Sequence, residues 1–555
     1  MPEEPEISVR LEFTPALAAA IGANYARTQT IAAAAAAGVN AVARGLGIPG
    51  KAVALCATGP DRGARWLRVR MNGKLCRYPL ELLWRARSAA QGCIFGSTEN
   101  TKELAAWLRD PASGTDEIAE FFNRALHAIA ARHASALLGP AQLDAYLTPR
   151  LREDPRVQDV LAALIDLHLP ISNAERIADL LESCEGPFEQ VCEDLASELQ
   201  TGVIEIRVRA DDLRQWTLED SQRARGAFSN LRDNLFYELG MRFPDLRFVL
   251  ADRKPGTFAF CLNGCETMPW QGLKPGEVLV NELPETIGRL GVRVTPVLHP
   301  ETRAVLSLVS LKALPDGAAA HLSIYGPVQY MLMCLGAELR ENAARLLDLN
   351  LMRRYLHEVE TPYPALVRAI RRMLPEARLT RALRRLVAEQ VSIRDFKRIL
   401  DWLLDCDWIP AEERTTIIFD DRLANPSPTE EWLNDSRQWA AFARSGLKRY
   451  LSYKYARSRT TLPVYVLDPE IEQRLAEMPP GGLADEVVDR ILEGVRQRAG
   501  DEAPYLPTPV LTYTGIRFAV RELLAEEFPW LPVLAYRELP PGTNIRSEGQ
   551  IGWPS

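Results

Sequence analysis

The sequence contains no run of eighteen consecutive apolar residues, so it predicts no transmembrane helix. The closest stretch, the alanine-rich segment 31–42, is too short and is interrupted by Asn40. Residues 1–6, which read MPEEPE, are acidic and lack the basic start and apolar core of a secretory signal. These absences predict a cytoplasmic protein without direct membrane insertion.

Histidine and cysteine are scarce, with six and nine residues respectively, and neither forms a recognisable site. His127 and His133 lie six positions apart, which places them on different faces of a helix. Cys261 and Cys265 are close together, but no second cysteine or histidine pair has the spacing of a zinc site. The motifs H-E-x-x-H, G-x-S-x-G and the P-loop are missing as well. The sequence therefore predicts no metal, no cofactor and no enzymatic activity, and it predicts reduced cysteines in the core.

One glycine-rich segment, GLGIPG at 45–50, fits the pattern of a dinucleotide-binding loop. Such a loop needs a strand before it and a helix after it, so that the phosphates meet the helix N-terminus. Here a predicted helix precedes the glycines and a predicted strand follows them. The segment is therefore predicted to be a helix stop and a turn.

The overall composition is that of an ordinary globular protein, with 47% apolar and 25% charged residues and a net charge of -7. At roughly 100–200 residues per domain, the 555 residues predict three to five domains. A modest negative charge leaves no global signature of nucleic-acid binding. We therefore predict a multidomain protein without a nucleic-acid partner.

A long internal repeat organises the sequence. Alternating apolar and polar residues at 7–11 and at 204–208 each predict a half-buried strand. A long helix follows each strand, and each helix ends at a leucine followed directly by a glycine, Gly47 or Gly240. The order of elements is therefore the same at both places.

The repeat continues through hairpins and helices. Asn-Gly dipeptides at 72–73 and 263–264 stand between alternating residues, which is a strong hairpin signal. Further along, residues 171–179 match residues 393–401 at a constant offset. We therefore predict a tandem duplication, with a first copy at 1–200 and a second copy at 201–555.

The second copy has a C-terminal extension that the first copy lacks. Residues 509–512 and 532–536 read as strands, and the amphipathic segment 515–528 between them reads as a helix. Such a βαβ unit favours parallel strands. The last segment, 540–555, has a loop-like composition and is expected to be a mobile tail.

The predicted fold class is α+β and multidomain. Each copy has a strand–helix–hairpin domain followed by a helical domain, and a βαβ domain ends the chain. The predicted domains are 1–100 (α/β, first copy), 101–200 (helical, first copy), 201–325 (α/β, second copy), 326–460 (helical, second copy) and 461–555 (βαβ and tail).

The segment 386–400, LVAEQVSIRDFKRIL, resembles the most recognisable cytosolic motif of the flagellar and type III secretion export-gate family, FHIPEP. In this motif Ser392 is suited to be a helix N-cap, and Asp395 takes the acidic position of a capping box. The motif is therefore structural rather than catalytic. Four further segments resemble parts of the same cytosolic domain in the same order, namely 231–240, 273–280, 467–472 and 509–536.

The resemblance covers about residues 201–555 and implies a function in protein secretion. It implies a non-enzymatic scaffold that binds secretion chaperones, export substrates or components of the export ATPase complex, and it leaves a homo-oligomer open. It also implies a place in the cytoplasm or at the periphery of a secretion complex at the inner membrane. In the family a membrane domain precedes this cytosolic part, and the sequence is expected to carry the first copy in that place. The alternatives are an interaction module outside secretion, or an enzyme or RNA-binding protein that uses a cleft between the copies.

A basic run over two predicted helices is the candidate surface for protein contact. Its proposed contact residues are Arg371, Arg372, Arg381, Arg384, Arg385 and Lys397. A solvated helix face is the alternative interpretation, and a nucleic-acid surface is a third. Few aromatic residues are interleaved with these cations, which argues against base stacking.

Overall fold

The structure is a computed structural model. It describes residues 4–554 except 23, 60–65, 95–100, 111–112, 185, 221–225, 316–320, 406–434, 457–459, 480–481 and 501–506. Within these described residues, no helix is both long and apolar enough to cross a membrane.

The chain divides into two compact units, which are described separately below. The first unit comprises residues 1–234 and 243–341, and the second comprises 235–242 and 342–555. The first unit therefore contains the entire first copy together with residues 201–234 and 243–341 of the second copy. The division into five domains stays a prediction.

The strands of the described residues form four sheets. Their bounds are β1 (Glu6–Phe13), β2 (Lys51–Thr58), β3 (Leu67–Met71), β4 (Lys74–Cys76), β5 (Val203–Val208), β6 (Asp245–Leu250), β7 (Thr257–Leu262), β8 (Cys265–Glu266), β9 (Trp270–Gln271), β10 (Glu277–Val280), β11 (Thr295–Leu298), β12 (Val305–Ser310), β13 (Ile324–Tyr325), β14 (Thr461–Leu467), β15 (Val510–Thr512), β16 (Val533–Ala535) and β17 (Asn544–Ile551).

The helices lie between and after these strands. In the first half they are α1 (Pro15–Gly22), α2 (Tyr25–Leu46), α3 (Leu80–Ala90), α4 (Thr101–Arg109), α5 (Thr115–Arg132), α6 (Pro140–Tyr146), α7 (Pro149–Arg152), α8 (Val157–Asp166), α9 (Ala174–Ser183), α10 (Phe188–Leu199), α11 (Ala210–Asp220) and α12 (Ala227–Leu239). The remaining described helices are α13 (Pro284–Gly288), α14 (Pro327–Leu346), α15 (Leu349–Glu360), α16 (Pro364–Met373), α17 (Glu376–Ala388), α18 (Phe396–Leu404), α19 (Ser436–Gly446), α20 (Lys448–Ala456), α21 (Pro469–Ala476), α22 (Asp485–Ala499) and α23 (Thr514–Ala525).

The first two sheets, both in the first unit, have the same topology. Their orders are β2-β1-β3-β4 and β6-β5-β7-β8, and β9 adds to β7 in the second. In the first sheet, β1 pairs in parallel with β2 and antiparallel with β3. In the second sheet, β5 pairs in parallel with β6 and antiparallel with β7 in the same way. The alternation predicted at the start of each copy therefore forms the equivalent central strand, β1 or β5.

Left-handed backbone positions recur at matching places in the two copies. A residue with positive φ ends the long helix, another forms the hairpin turn, and a third follows a helix of the helical region. The matching pairs are Gly47 (φ 72°) with Gly240 (75°), Asn72 (46°) with Asn263 (53°), and His168 (60°) with Gln390 (57°). Because only a few per cent of non-glycine residues adopt positive φ, their coincidence supports the predicted repeat.

The glycine that ends each long helix touches the chain of the helical region. Ile171 N donates to the Leu46 carbonyl oxygen at 2.7 Å, and Ile393 N donates to the Leu239 carbonyl oxygen at 2.9 Å. A Cβ on Gly240 would lie only 2.0 Å from the nitrogen of Arg394, a backbone atom that cannot move aside freely. The close approach therefore requires glycine at this position.

Gly240→Ala is expected to destabilise the second unit by about 3–5 kcal/mol, because overpacking adds to the cost of positive φ. Gly542→Ala is the matched control in the same unit. Gly542 also has positive φ, but a Cβ there would meet nothing within 4 Å, so a loss of only about 1 kcal/mol is expected. Urea midpoints measured by circular dichroism would compare the two variants. Equal losses would contradict the close-packing explanation.

A small third sheet lies in the first unit, within the predicted 201–325 domain. Its order is β11-β12-β10-β13, and its pairs are antiparallel. It has its own small core around Val278, Val280 and Ile287. The sequence pattern predicted a single α/β domain here and did not indicate that this sheet is distinct from the one formed by β5 to β9.

The fourth sheet, in the second unit, closes the fold with parallel strands in the order β16-β15-β14-β17. The predicted βαβ unit is confirmed as β15, α23 and β16, with parallel pairing of Val510–Thr512 to Val533–Ala535. Ile516, Val520 and Leu524 of α23 enter the core under the sheet. Their helical spacing therefore places one face of α23 on the strands.

The expectation of a mobile, loop-like tail at 540–555 is wrong. Residues 544–551 form β17, which pairs in parallel with β14 over its whole length. The strand is mostly exposed and polar, so its composition reads as a loop. Only Ile551 is fully buried, and pairing with β14 supplies the backbone hydrogen bonds that order the segment.

The predicted capping box at Ser392 is also wrong. Helix α18 begins at Phe396, its N-cap is Asp395, and no side-chain cap bond forms there. The chain before it is held by other bonds, since Ser392 N donates to the Tyr450 hydroxyl at 3.2 Å and Ile393 N is paired with α12. These contacts hold the residues before Asp395 outside the helix, which therefore begins one turn later.

Candidate functional site

The predicted basic surface lies on α16, α17 and α18 of the second unit. Each helix turns an apolar stripe inwards, for example Val367 and Ile370 of α16 and Leu383 and Leu386 of α17. The arginines occupy the remaining faces. Of the six predicted cations, Arg371 and Arg372 are exposed and the other four are half-buried, and their contacts decide how available they are.

Arg371 is held by two carboxylates at the junction of three helices. It pairs with Glu360 at 3.1 Å and with Glu376 at 2.9 Å. Arg353 reaches the other oxygen of Glu376 at 3.0 Å. These pairs are largely solvent-exposed and are each worth at most about 1 kcal/mol. They nevertheless neutralise Arg371 and restrict its direction.

Arg384 and Arg385 are also engaged by their own unit. Arg384 donates two bonds to the Leu347 carbonyl oxygen, at 3.2 and 2.8 Å. Arg385 lies 5.1 Å from the ring centre of Phe518, and Arg437 lies 4.9 Å from the same ring. Burial lowers the pKa of Arg385 below its ordinary value. Phe518 therefore carries a guanidinium on each of two sides.

The three remaining predicted residues differ in exposure. Lys397 pairs with Asp401 one helical turn later and lies 4.9 Å from the ring centre of Tyr363. Arg381 is half-buried, whereas Arg372 is exposed. The six residues therefore do not form one uniformly free cationic patch. Their assignment as a protein-contact surface stays a prediction, and Arg371 and Arg372 are its exposed members.

A buried cluster of charges in the second unit was missed by the sequence analysis. Arg444 is 2% exposed and binds Glu538 through two oxygens, at 2.6 and 2.8 Å. A third bond joins it to Glu389 at 3.2 Å. Arg517, 5% exposed, binds both oxygens of Glu389 at 3.1 and 3.2 Å. The cluster thus ties α17 and α19 to α23 and the segment after β16.

The electrostatics of this cluster favour full ionisation. Burial alone would raise the pKa of Glu389, but the charges of Arg517, Arg444 and Arg521 lower it below its ordinary value. For Arg444, burial opposes the charge, while Glu538 and Glu389 raise its pKa above the ordinary value. The alternating arginines and glutamates of this cluster join the helical layer to the parallel sheet. It provides no nucleophile or proton donor for chemistry.

One sequence signal could have pointed to the cluster. Arg517 and Arg521 occupy the predicted amphipathic helix at successive turns, beside its apolar stripe. Both are buried, and Arg521 donates to the carbonyl oxygens of Leu531 and Pro529 at 2.9 Å each. A buried arginine implies a partner, but the spacing alone did not identify which carboxylate supplies it.

The titratable side chains of the first unit are arranged as core groups. Burial lowers the pKa of His127, His133 and His299 to about 4 in each case. Burial raises the pKa of Cys56 to about 11 and that of Cys334 well above its ordinary value. These imidazoles are therefore neutral and these thiols protonated at neutral pH, and a protonated thiol is not a nucleophile. Among the described residues, no three or more His, Cys, Asp or Glu side chains cluster to hold a metal ion.

A surface cavity of about 370 Å³ lies in the helical region of the first copy. Arg150 at its rim binds Glu175, Asp179 and Glu182 at 2.8 to 3.1 Å. Its lining combines the apolar Leu151, Ala178 and Leu181 with charged side chains and Cys184. Arg150 is thus already neutralised by carboxylates of the same helical region.

These sheets and helical layers define a multidomain α+β protein. Residues 172–544 match the FHIPEP family, which is about two thirds of the sequence. The chain therefore belongs to the FHIPEP family, and the resemblance of segment 386–400 is confirmed.

Curated relatives match more than half of the chain. "Low calcium response locus protein D" of Yersinia pestis is 30% identical over 332 residues, covering 58% of this chain and 44% of that protein. "Hypersensitivity response secretion protein HrcV" of Ralstonia nicotianae is 25% identical over 340 residues, covering 59% and 45%. The chain thus spans less than half the length of these relatives.

Solved structures show the same fold. The CdsV protein of Chlamydia pneumoniae matches with a TM-score of 0.52 and 23% identity, covering 63% of this chain and 97% of that one. A second structure contains CdsV in complex with CdsO and matches equally well. The predicted α+β, multidomain fold class is therefore confirmed.

Proposed function

We propose that this chain is a non-enzymatic scaffold of protein secretion that binds other proteins of the export machinery. The observation that carries the proposal is the family match over 172–544, which includes the whole described helical layer and β14 to β16 of the parallel sheet. The partners are secretion chaperones, export substrates or components of the ATPase complex. The chain would act in the cytoplasm or at the cytoplasmic edge of a secretion complex.

Three features of the described residues support docking rather than catalysis. The buried thiol of Cys334 is held in its protonated, non-nucleophilic form. The charge cluster around Arg444 joins secondary elements instead of facing a cavity. The outer face of the helical layer, by contrast, carries the exposed cation Arg372. An exposed cation suits recognition of a carboxylate-rich partner surface.

The CdsV–CdsO complex indicates which partner to test first. The relative of CdsO encoded by the same organism would be purified and titrated into the full chain by isothermal titration calorimetry. We expect binding, and we expect Arg372→Glu to weaken it by at least about tenfold, because reversing one charge repels an acidic partner surface.

Arg449→Glu is the matched control, since Arg449 is an exposed arginine on α20 of the same unit. It should leave the affinity within about twofold if the contact lies on α16 and α17. Equal weakening by both substitutions would contradict the predicted surface. If neither that protein nor a chaperone or substrate of the same secretion system binds, the secretion role is wrong and an interaction module outside secretion takes its place.

A further inference from the structure

The turn of the β7–β8 hairpin sits on a loop of the first copy, inside the first unit. Asn263 is 3% exposed, and its Nδ2 donates to the Leu167 carbonyl oxygen at 3.1 Å. Its Oδ1 accepts a bond from Gln200 at 3.2 Å. A Cβ on Gly264 would lie 3.2 Å from the ring of Pro170, so the two chains are in close contact. Residues 167–170, called the docking loop below, thus receive the tip of the hairpin.

The strands beside this tip bury an apolar face against the first copy. Cys265, Met268 and Leu298 are 3%, 2% and 6% exposed and belong to the same hydrophobic core as the buried residues of β1, α2 and α5. A contiguous apolar face of this kind, if left in water, would mark a binding surface. The first copy therefore shields this apolar face of the second copy from water.

The centre of this contact combines a tryptophan with a buried ion pair. The Arg85 guanidinium lies 4.1 Å from the ring centre of Trp270, and it pairs with Glu338 at 2.9 Å. Trp270 Nε1 donates to the same carboxylate at 2.9 Å. Trp270 and Glu338 are 3% and 4% exposed. Tryptophan and arginine in a desolvated centre are the residues that dominate the stability of protein interfaces.

A ring of polar contacts surrounds this centre. Each joins a residue of the first copy to a residue of the second: Glu120 with Lys254 at 2.7 Å, Arg132 with Glu341 at 3.2 Å, Arg124 with the Pro269 carbonyl oxygen at 2.8 Å, and Glu81 with Arg303. A polar rim around an apolar, aromatic centre is the usual arrangement of an interface between subunits.

The equivalent loop of the second copy, in the second unit, has a different occupant. Gln390 repeats the positive φ of His168, and helix α20 covers this loop. Ser392 N donates to the hydroxyl of Tyr450, and Lys454 Nζ donates to the Gln390 carbonyl oxygen. The residue that corresponds to Ser392 in the first copy is Pro170, which has no N–H to donate. Each loop is thus matched to its own occupant.

We propose that the first copy is a built-in subunit, the permanent partner of the hairpin face of the second copy. The partner that this surface takes is therefore a diverged copy of the same module, supplied by the same chain. Because α20 closes the corresponding loop of the second copy, the contact is used once and does not extend to a further molecule. This inference is independent of the proposed role in secretion.

Cleavage of the link between the copies tests the proposal on the full chain. A protease recognition sequence would be inserted between Thr201 and Gly202, which are both exposed. After cleavage, the two pieces are expected to elute together at the mass of the uncut chain, and to stay together on dilution to about 100 nM, as subunits of a specific interface do. Separation of the pieces at micromolar concentration would overturn the proposal.

Two variants distinguish an interface from general instability. Arg85→Ala should raise the dissociation constant of the cleaved pieces at least about tenfold, because it leaves Glu338 buried without its cation. Arg152→Ala removes an exposed pair with Asp144 that lies wholly within the first copy, and it should change the constant less than about twofold. Equal effects of the two substitutions would refute the assignment of the interface.

A second measurement covers the case in which the insertion prevents folding. In the natural, uncut chain, Arg85→Ala should speed hydrogen exchange of the β7 and β8 amides at least about tenfold, because local opening of these strands follows loss of their cover. Arg152→Ala should leave these amides unchanged. Unchanged exchange in the Arg85 variant would count against the proposal as directly as separation of the cleaved pieces.

Discussion

Replacing Arg444 by methionine is expected to destabilise the second unit by about 3–5 kcal/mol, because it leaves two buried carboxylates short of their cation. Glu538 is 4% exposed and loses both bonds to the guanidinium. Glu389 loses one of its two arginine partners. Methionine has a similar length and is apolar, so the loss measures missing charge rather than a cavity.

The same substitution should also change the pH dependence of stability. Arg517 and Arg444 lower the pKa of Glu389 in the folded chain, against the effect of burial. A carboxyl with a lowered pKa stabilises the fold above its unfolded pKa, and this contribution is lost as the pH falls through the folded value. In the Arg444→Met variant this contribution is smaller, so the difference between variant and natural chain should shrink in acid.

Arg546→Met is the control for this prediction, since Arg546 forms an exposed pair with Glu548 on β17 of the same unit. It should cost less than about 1 kcal/mol. Urea unfolding followed by tryptophan fluorescence at pH 7 would measure both losses. An Arg444→Met chain as stable as the Arg546→Met chain would show that the cluster does not join helical layer and sheet.

Acidification from pH 7 to pH 5 is expected to destabilise the first unit by several kcal/mol. His127, His133 and His299 each have a pKa lowered by burial to about 4, compared with 6.5 for an ordinary histidine. In the unfolded chain these imidazoles take up a proton near pH 6.5, whereas in the folded chain they stay neutral until about pH 4. Stability is therefore fully present above pH 6.5 and falls as the pH drops towards 4.

The size of the effect follows from the pKa differences. Each histidine contributes a loss of about 1–2 kcal/mol between pH 7 and pH 5, since only the unfolded chain is protonated there. Together the three approach the typical stability of a whole domain, which is roughly 5–15 kcal/mol. The first unit should consequently unfold in mild acid.

Substitution of His127 measures how much of the acid-induced loss of stability comes from this one histidine. His127 is 9% exposed, and its Nδ1 has no hydrogen-bond partner in the structure. His127→Leu should therefore be as stable as the natural chain at pH 7. On acidification its free energy of unfolding should fall by about 1–2 kcal/mol less than that of the natural chain. His321→Gln is the control, because His321 is an exposed residue of the same unit. Thermal unfolding at pH 7, 6 and 5 would measure the difference, and parallel pH curves for all three chains would contradict the explanation.

The sequence by itself determined the local elements of the repeat. Alternating residues predicted β1 and β5, the Leu-Gly pairs predicted the ends of α2 and α12, and Asn-Gly predicted both hairpin turns. These features depend on side-chain periodicity and on backbone conformations that few residue types adopt, so neighbouring residues are enough to specify them. The motif at 386–400 indicated the family from its local sequence in the same way.

The contacts that give these elements their roles were decided only by the tertiary structure. Arg444 and Glu538 are 94 residues apart, and no local pattern pairs them. Ser392 was suited to cap a helix, but contacts with Tyr450 and α12 hold its segment outside the helix instead. The polar segment 544–551 reads as a loop and becomes a strand because β14 presents an edge to it. Packing outweighs local preference at these places, because burial and hydrogen bonding of the whole segment exceed the few tenths of a kcal/mol that propensity contributes per residue.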